Sequence, residues 1–382
     1  MKPSLAATAA LWLSLVVPSV FVVQKYLGWA ATAIYIVAAA LGAAYCHRLS
    51  WPRTDRETTW LALATVALVA AAFLTLYPVV NVHTPGFGSD DDDAYQAGAL
   101  ALVSGHSPYL ERTYLGNVLH QLPGAFILAL PFVLLGAAAL QNLFWLPIFF
   151  LAVRAQIGDG RAALRLAWLV LALSPTVMHQ VVTGTGHAAN TIYVLLGLWW
   201  LTRTPHRDWA AVAWGVALAS RANFLFLLPL AFGWLKQNHG WPAAFRALLL
   251  TGATAACVTV PFYLYAPLDF GPFEANDRLL RFDALLPHLG TTLIAITAVL
   301  AAGLSLMPMT LASLLRNCAI VQAFPIILGT VLSTLQTGRA DLAYAAYGSF
   351  FAWFGLMYYA SAVMPQGDHL PSLGNADQIA PA

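Results

Sequence analysis

Charge is scarce in this chain. Of 382 residues only 9% are Asp, Glu, Lys or Arg and 60% are hydrophobic, whereas a soluble globular domain carries roughly 25% charged residues. That excludes an ordinary soluble protein. Cysteine is nearly missing: Cys46, Cys257 and Cys318 fall in or beside apolar runs without CxxC spacing, so neither a disulfide framework nor a zinc site is supported and packing is their expected role. The formal net charge of +2 is too small and too dispersed for nucleic-acid binding. Heptads, internal repeats, low-complexity linkers and Asn-x-Ser/Thr sequons do not occur. Nor is there a hydrophilic stretch long enough to bury its own core, since the three that exist are 81–117, 265–288 and the polar tail 364–382.

Apolar runs of helix length fill the chain instead. Crossing a hydrocarbon layer ~30 Å thick takes about 20 mostly apolar residues, and a helix satisfies its own backbone polar groups there. Runs between charged or Pro/Gly-rich breaks predict spans near 5–23, 28–46, 59–80, 119–137, 138–153, 163–181, 186–202, 209–235 (single or broken), 246–264, 289–307, 318–335 and 342–362. The expected fold is all-α, a polytopic membrane protein of about 11 to 13 hydrophobic helices in one transmembrane domain, 1–363. The run after Met1-Lys2 is too long for a signal peptide and meets no small-residue cleavage site before Gln24-Lys25, so it reads as a retained helix.

Arginines set the orientation. Arg48, Arg53 and Arg56 assign their loop to the cytoplasm, so the span 59–80 runs outward and residues 81–117 emerge on the far side. That loop holds Asp90, Asp91, Asp92, Asp93 and Glu111 against Arg112. The loop 265–288 holds Asp269, Glu274, Asp277 and Asp283 beside Arg278 and Arg281. Together they own most of the 16 acidic residues, and both are expected outside. Between 138 and 221 the parity is open, because Arg154, Arg161, Arg165, Arg203 and Arg207 all favour the cytoplasm while the spans among them are short.

Asp90 to Asp93 are the chain's densest polar feature. After them, Ala94 to Ser104 reads as a short helix closed by Gly105 and followed by Pro108. Ser89 and the aspartates would cap that helix, an anion near an N-terminus contributing ~0.3–1 kcal/mol. One or two would suffice. Four in a row repel unless a metal, a cationic partner or a raised pKa relieves them. A divalent cation held by these oxygens is one form of relief but not the favoured one, and no cofactor is expected.

The order of motifs that follows resembles a known family. Tyr95-Gln96-Ala97-Gly98, then Gly105-His106-Ser107-Pro108-Tyr109 and Leu122-Pro123-Gly124, are similar to the first outer loop of GT-C fold integral membrane glycosyltransferases. The similarity is to the polyprenyl-phosphate-sugar-dependent mannosyl- and arabinosyltransferase-like branch. Pro175 and Gly186-His187 with Asn190 resemble that branch's Pro and Gly-Gln-x-x-Asn region, and Gly215 to Arg221 resembles its Gly-x-x-x-Gly/Ala-x-x-x-Lys helix. The resemblance covers residues 85–270 and is carried by order and spacing, not by any one motif.

The resemblance implies a GT-C-like fold with juxtamembrane helices in the outer loop. It implies a transferase moving a sugar from a lipid-linked phosphate donor to a glycan, lipid or protein acceptor at the outer face of a bacterial inner (plasma) membrane. An aspartate of the first outer loop would be the general base, a role contributing about 10²–10⁴-fold. The leaving polyprenyl phosphate is an anion and needs cations or backbone donors. The family commonly has one or two aspartates here, so the base stays open: counting back from Tyr95 favours Asp90, while closeness to the helix start favours Asp92 or Asp93.

Arg221 stands where the family has lysine, a planar fork in place of a point charge. It either holds the donor phosphate or snorkels to the interface. Tyr95, Tyr109, Glu111, Arg112, His120, Gln121, His187 and Asn190 complete the candidate substrate-binding set, with a satisfied structural role the plainer reading of His187. Two rivals remain. A transporter or lipid flippase with an acidic gating loop would show paired halves and ionisable residues inside its spans, and a purely structural member of the fold would need no site at all.

Overall fold

The computed structural model describes residues 4–48, 51–52, 54–84 and 89–363, and of His47 and 274–278 the backbone course alone. Arg53, the stretch 85–88 and the tail 364–382 lie outside the described residues. Helix is the only regular secondary structure among them, and the chain is an all-α polytopic membrane protein. In order the helices are α1 Leu5–Tyr45, α2 Asp55–Val80, α3 Asp91–Val103, α4 Pro123–Leu134, α5 Leu140–Ile157, α6 Gly160–Leu173 and α7 Pro175–Thr183. They continue with α8 His187–Arg203, α9 Arg207–Leu218, α10 Leu228–Tyr265, α11 Asp277–Leu280, α12 Leu289–Ser305, α13 Leu311–Thr337 and α14 Ser349–Val363.

Five of these are long and apolar enough to cross a membrane, six if the α6–α7 pair, bent by 79°, counts as one span. Two glycines raise that number of passes. Gly28 in α1 and Gly240 in α10 have φ of 80° and 82°, a left-handed geometry that ends one helix and starts another. The chain doubles back at both. Trp12 Nε1 donates to the Ile36 carbonyl at 3.3 Å across α1, where a continuous helix would separate them by ~36 Å. Likewise the rings of Phe232 and Phe245 lie 5.2 Å apart across Gly240. The predicted spans 5–23 and 28–46 are therefore a helical hairpin.

Side-chain contacts sort the helix ends into two groups. At one end Arg161 pairs with Asp55, Arg203 bonds Gln156, Arg207 meets His239 and Arg246 pairs with Asp208. At the other end lie the two acidic loops, in mutual contact: His120 Nδ1 sits 3.2 Å from the Gly271 carbonyl, and the Tyr109 and Phe270 rings are 4.7 Å apart. The parity left open by the sequence is thereby closed. Arg154, Arg161, Arg165, Arg203 and Arg207 gather at one end because α5, α6 with α7, α8 and α9 run alternately between the two.

The expected span 119–137 is corrected. Its helix α4 is only 12 residues, about 18 Å long, and both its ends stay at the acidic side. Gly124 N–H donates to the Ala219 carbonyl at 2.7 Å, and Ala138 N–H donates to Gln96 of α3 at 3.1 Å. Thus α3 and α4 pack as a pair at the acidic end, with Phe126 filling the space that a Cβ on Gly98 would need. The expected span 209–235 is broken at Ala219–Leu227 by a 3-10 turn, Ala222–Leu227, and the polar Arg221 stands at that break. In place of a helix from 342, a 3-10 turn Ala343–Gly348 precedes α14.

Charge segregation with the arginines cytoplasmic predicts a labelling pattern. In a variant lacking the three native cysteines, Leu115→Cys in the acidic end should react with an impermeant maleimide in intact cells, and His206→Cys only after lysis. The reverse pattern would invert the topology.

Candidate active site

Helix α3 begins at Asp91 because the chain turns in at Ser89, whose Oγ accepts the Asp91 N–H at 3.2 Å. The aspartates themselves make no side-chain cap at Asp90. Asp90 is the N-cap and the residues after it are rotated by about 100° each, so the four carboxylates leave the start of the helix in different directions. Each finds its own partners. Asp90 accepts from Thr113 Oγ1 at 3.0 Å and Asn117 Nδ2 at 2.7 Å, which fastens the turn closed by the Thr113 N–H bond to Asn117 O. Asp92 accepts from Tyr77 Oη at 2.7 Å and from Asn81 Nδ2, both at the C-terminal end of α2. Asp93 lies 3.0 Å from His83 Nε2.

Asp91 points into the bundle. Its Oδ1 accepts from Gln121 Nε2 at 2.7 Å and from Arg221 Nη2 at 2.8 Å, and its Oδ2 accepts the Gly186 N–H at 2.7 Å. The Asp91 and Arg221 side chains are only 14% and 13% exposed, so this is a buried ion pair. Around it, Arg221 Nη2 reaches Tyr95 Oη at 3.3 Å and its guanidinium lies 5.4 Å from the Phe350 ring centroid. With its oxygen toward Arg221, the Asn190 amide accepts from Nε at 2.9 Å and from the Tyr95 hydroxyl at 2.7 Å, and donates to Tyr193 at 2.6 Å. His187 opens α8 beside Gly186 and packs its ring on Phe350 and Tyr347. The N-terminus of α8 faces the same point through the Gly186 N–H.

Environment divides the four carboxyls. Burial would raise Asp91, but Arg221 foremost, then His187, the Gly186 N–H and Gln121, hold it below the ordinary carboxylate value. Burial pushes Asp92 up to about 7, with the charges of Asp93 and Asp91 adding and the Tyr77 hydrogen bond opposing. Its Oδ1 is buried without a partner, as suits a carboxyl that holds its proton. Burial also raises Asp93, the His83 imidazole opposing. Repulsion in the cluster is thus relieved by dispersal, by Arg221 and by proton uptake. Among the described residues no group of three His, Cys, Asp or Glu side chains is placed to hold a metal ion.

Of the residues singled out in the sequence, the structure unites Asp91, Tyr95, Gln121, His187, Asn190 and Arg221. Others lie elsewhere. Tyr109 is fully buried in an aromatic cluster with Phe126, Phe262 and Phe270, and its hydroxyl donates to the Gln121 carbonyl at 3.0 Å. Glu111 and Arg112 are exposed, and with Asp93 and Tyr114 they line a separate open cleft of about 420 Å³ along α3. His120 joins the two acidic loops. Sequence reasoning missed Tyr77, Asn81, His83, Thr113, Asn117 and Gly184. A Cβ on Gly184 would lie 2.8 Å from Asp92 Oδ2. A polar pair at i, i+4 closing an apolar span just ahead of the aspartates, Tyr77 and Asn81, was the available signal.

No family model, no curated protein and no solved structure matches this chain. Its likeness to GT-C transferases rests on the motif order of residues 85–270 alone.

The raised Asp92 gives a pH test. A carboxyl whose folded value stands near 7 against an ordinary 3.8 favours folding below 3.8, and that contribution is lost as the pH climbs to about 7. Asp92→Asn cannot titrate but keeps an oxygen for Tyr77 and Asn81. Its melting temperature relative to wild type in detergent should therefore improve from about pH 5 to about pH 8. A pH-independent difference would mean that Asp92 is charged throughout.

Proposed function

We propose that the chain is a membrane glycosyltransferase that moves a sugar from a polyprenyl-phosphate-linked donor to an acceptor at the outer face of a plasma membrane. The observation that carries this reading is the buried Asp91–Arg221 pair, joined to Tyr95 and Asn190 and backed by the α8 N-terminus. Transfer to a hydroxyl needs a proton acceptor and an anion holder side by side, and this pair supplies both. A further observation supports surface chemistry over a central transport path. The acidic residues of the helices that run between the two ends, Asp55 and Glu57 in α2 and Asp208 in α9, lie in first turns, and the aspartate cluster lies in the short helix α3.

The chemistry divides between the two members. The acceptor oxygen forms a bond to the anomeric carbon, its proton passes to the Asp91 carboxylate, and the anomeric C–O bond to phosphate breaks with its electron pair leaving on the polyprenyl phosphate. Arg221 holds that phosphate as a planar fork, assisted by the α8 N-terminus. In the free protein Arg221 keeps Asp91 weakly basic. A phosphate arriving at Arg221 shares the guanidinium and raises the proton affinity of Asp91 at the moment it is needed.

The test uses purified protein with polyprenyl-phosphate sugars of several kinds. Asp91→Asn should lower kcat by at least about 10²-fold, while Asp90→Asn and Asp93→Asn lose far less. Arg221→Ala strands a buried carboxylate at a cost of about 3–5 kcal/mol, so Arg221→Lys is the informative change. It should fold, with a raised KM for donor and partial kcat. Sugar transfer at the wild-type rate in both Asp91→Asn and Arg221→Lys, or lipid movement across vesicles without transfer, would overturn the reading.

A further inference from the structure

The second large opening lies far from the aspartates. Helix α2 stands off the bundle: the apolar window of its span is only 11% buried, and Thr58, Val69 and Phe73 are its buried residues. The gap it leaves against α5 and α6 is an apolar groove of about 340 Å³. Along α2 the groove runs from Thr58 to Ala70, about 18 Å at 1.5 Å per residue. That is close to one leaflet of a hydrocarbon layer ~30 Å thick.

One charge borders this groove, and it stands at the arginine-rich end. Arg154, in the last turn of α5, is exposed and makes no ion pair among the described residues. Its neighbours differ: Arg161 pairs with Asp55 and Arg165 with Asp159. An apolar slot one leaflet deep, capped by a free guanidinium, has the form of one lipid molecule.

We propose that this groove binds an anionic phospholipid of the arginine-side leaflet, an acyl chain lying between α2, α5 and α6 and the phosphate resting on Arg154. Ala62 and Ala70 on α2, with Ala163 and Ala167 on α6, keep the slot open, since larger side chains there would fill it. The lipid would also brace α2, whose opposite end delivers Tyr77 and Asn81 to Asp92. The site needs no sugar donor and stands independently of the transferase reading.

The full-length protein in detergent, probed by native mass spectrometry and thermal melting with phosphatidylglycerol and phosphatidylcholine, tests this. One basic residue near an anionic lipid surface contributes about 1 kcal/mol, so Arg154→Gln should retain phosphatidylglycerol about fivefold less well than wild type, with phosphatidylcholine unchanged. The double change Ala62→Phe and Ala70→Phe should lower retention of both lipids and abolish stabilisation by phosphatidylglycerol. Retention of phosphatidylglycerol at the wild-type level in Arg154→Gln would overturn the headgroup assignment. Undiminished retention in a folded groove-filled variant would overturn the groove. Should that variant fail to fold, the exposed Arg154→Gln decides alone. Undecaprenyl phosphate displacing phosphatidylglycerol in an Arg154-dependent way would make the occupant a polyprenyl lipid and refute the proposal.

Discussion

The start of α3 is the constraint on which the acidic end of this protein depends. The N-cap and first turn together direct four adjacent carboxylates to four different segments: the turn at Thr113–Asn117, the Gly186 junction with Arg221, the end of α2, and His83. The segments arrive from parts of the chain up to 130 residues away. A single turn can hold them together only because the rotation of about 100° per residue keeps the carboxylates from competing for one partner. The same geometry resolves their mutual repulsion without requiring that they share an ion.

Two further features place that turn. Left-handed glycines at 28 and 240 double the chain back, so long apolar stretches become hairpins and charged loops collect at the ends. Short helices then do what spans cannot. The 79° bend between α6 and α7 and the break at Arg221 bring backbone N–H groups and a guanidinium to the acidic end of the bundle, where irregular backbone is buried in protein. The α3–α4 pair closes over them.

Much of this was legible in the sequence, and what was not has identifiable causes. Apolar run length gave the all-helical class and several of the spans, and the arginines pointed to the helix ends that gather together. The run 119–137 misled because hydropathy alone cannot separate a crossing helix from one lying along the surface. The difference is made by tertiary bonds such as Gly124 N–H to Ala219 O and Ala138 N–H to Gln96. In the site, Tyr95 and Asn190 were picked out by the motif resemblance, and Gln121, His187 and Arg221 also as polar residues within or beside apolar runs. Which aspartate they surround was not. Asp91 is distinguished only by the direction in which it leaves the helix, and that depends on the helix starting at residue 91, a boundary of one residue that composition does not encode.

The contrast between Asp91 and Asp92 sharpens what a carboxylate must satisfy to serve as a base in the proposed transfer. By proton affinity alone Asp92, raised to about 7, is the better acceptor at neutral pH. Geometry rules it differently. Asp92 is 2% exposed, Gly184 covers it closely, and its two partners are fixed on α2, so an acceptor hydroxyl has no approach. Asp91 is held below its ordinary value, yet one of its partners is a cation that a phosphate would also seek. A base restrained by the group that binds the donor is competent only when the donor is present. That ordering would keep Asp91 from drawing a proton before the donor is in place, and it would make the arginine as necessary to the timing of proton transfer as to the holding of the phosphate.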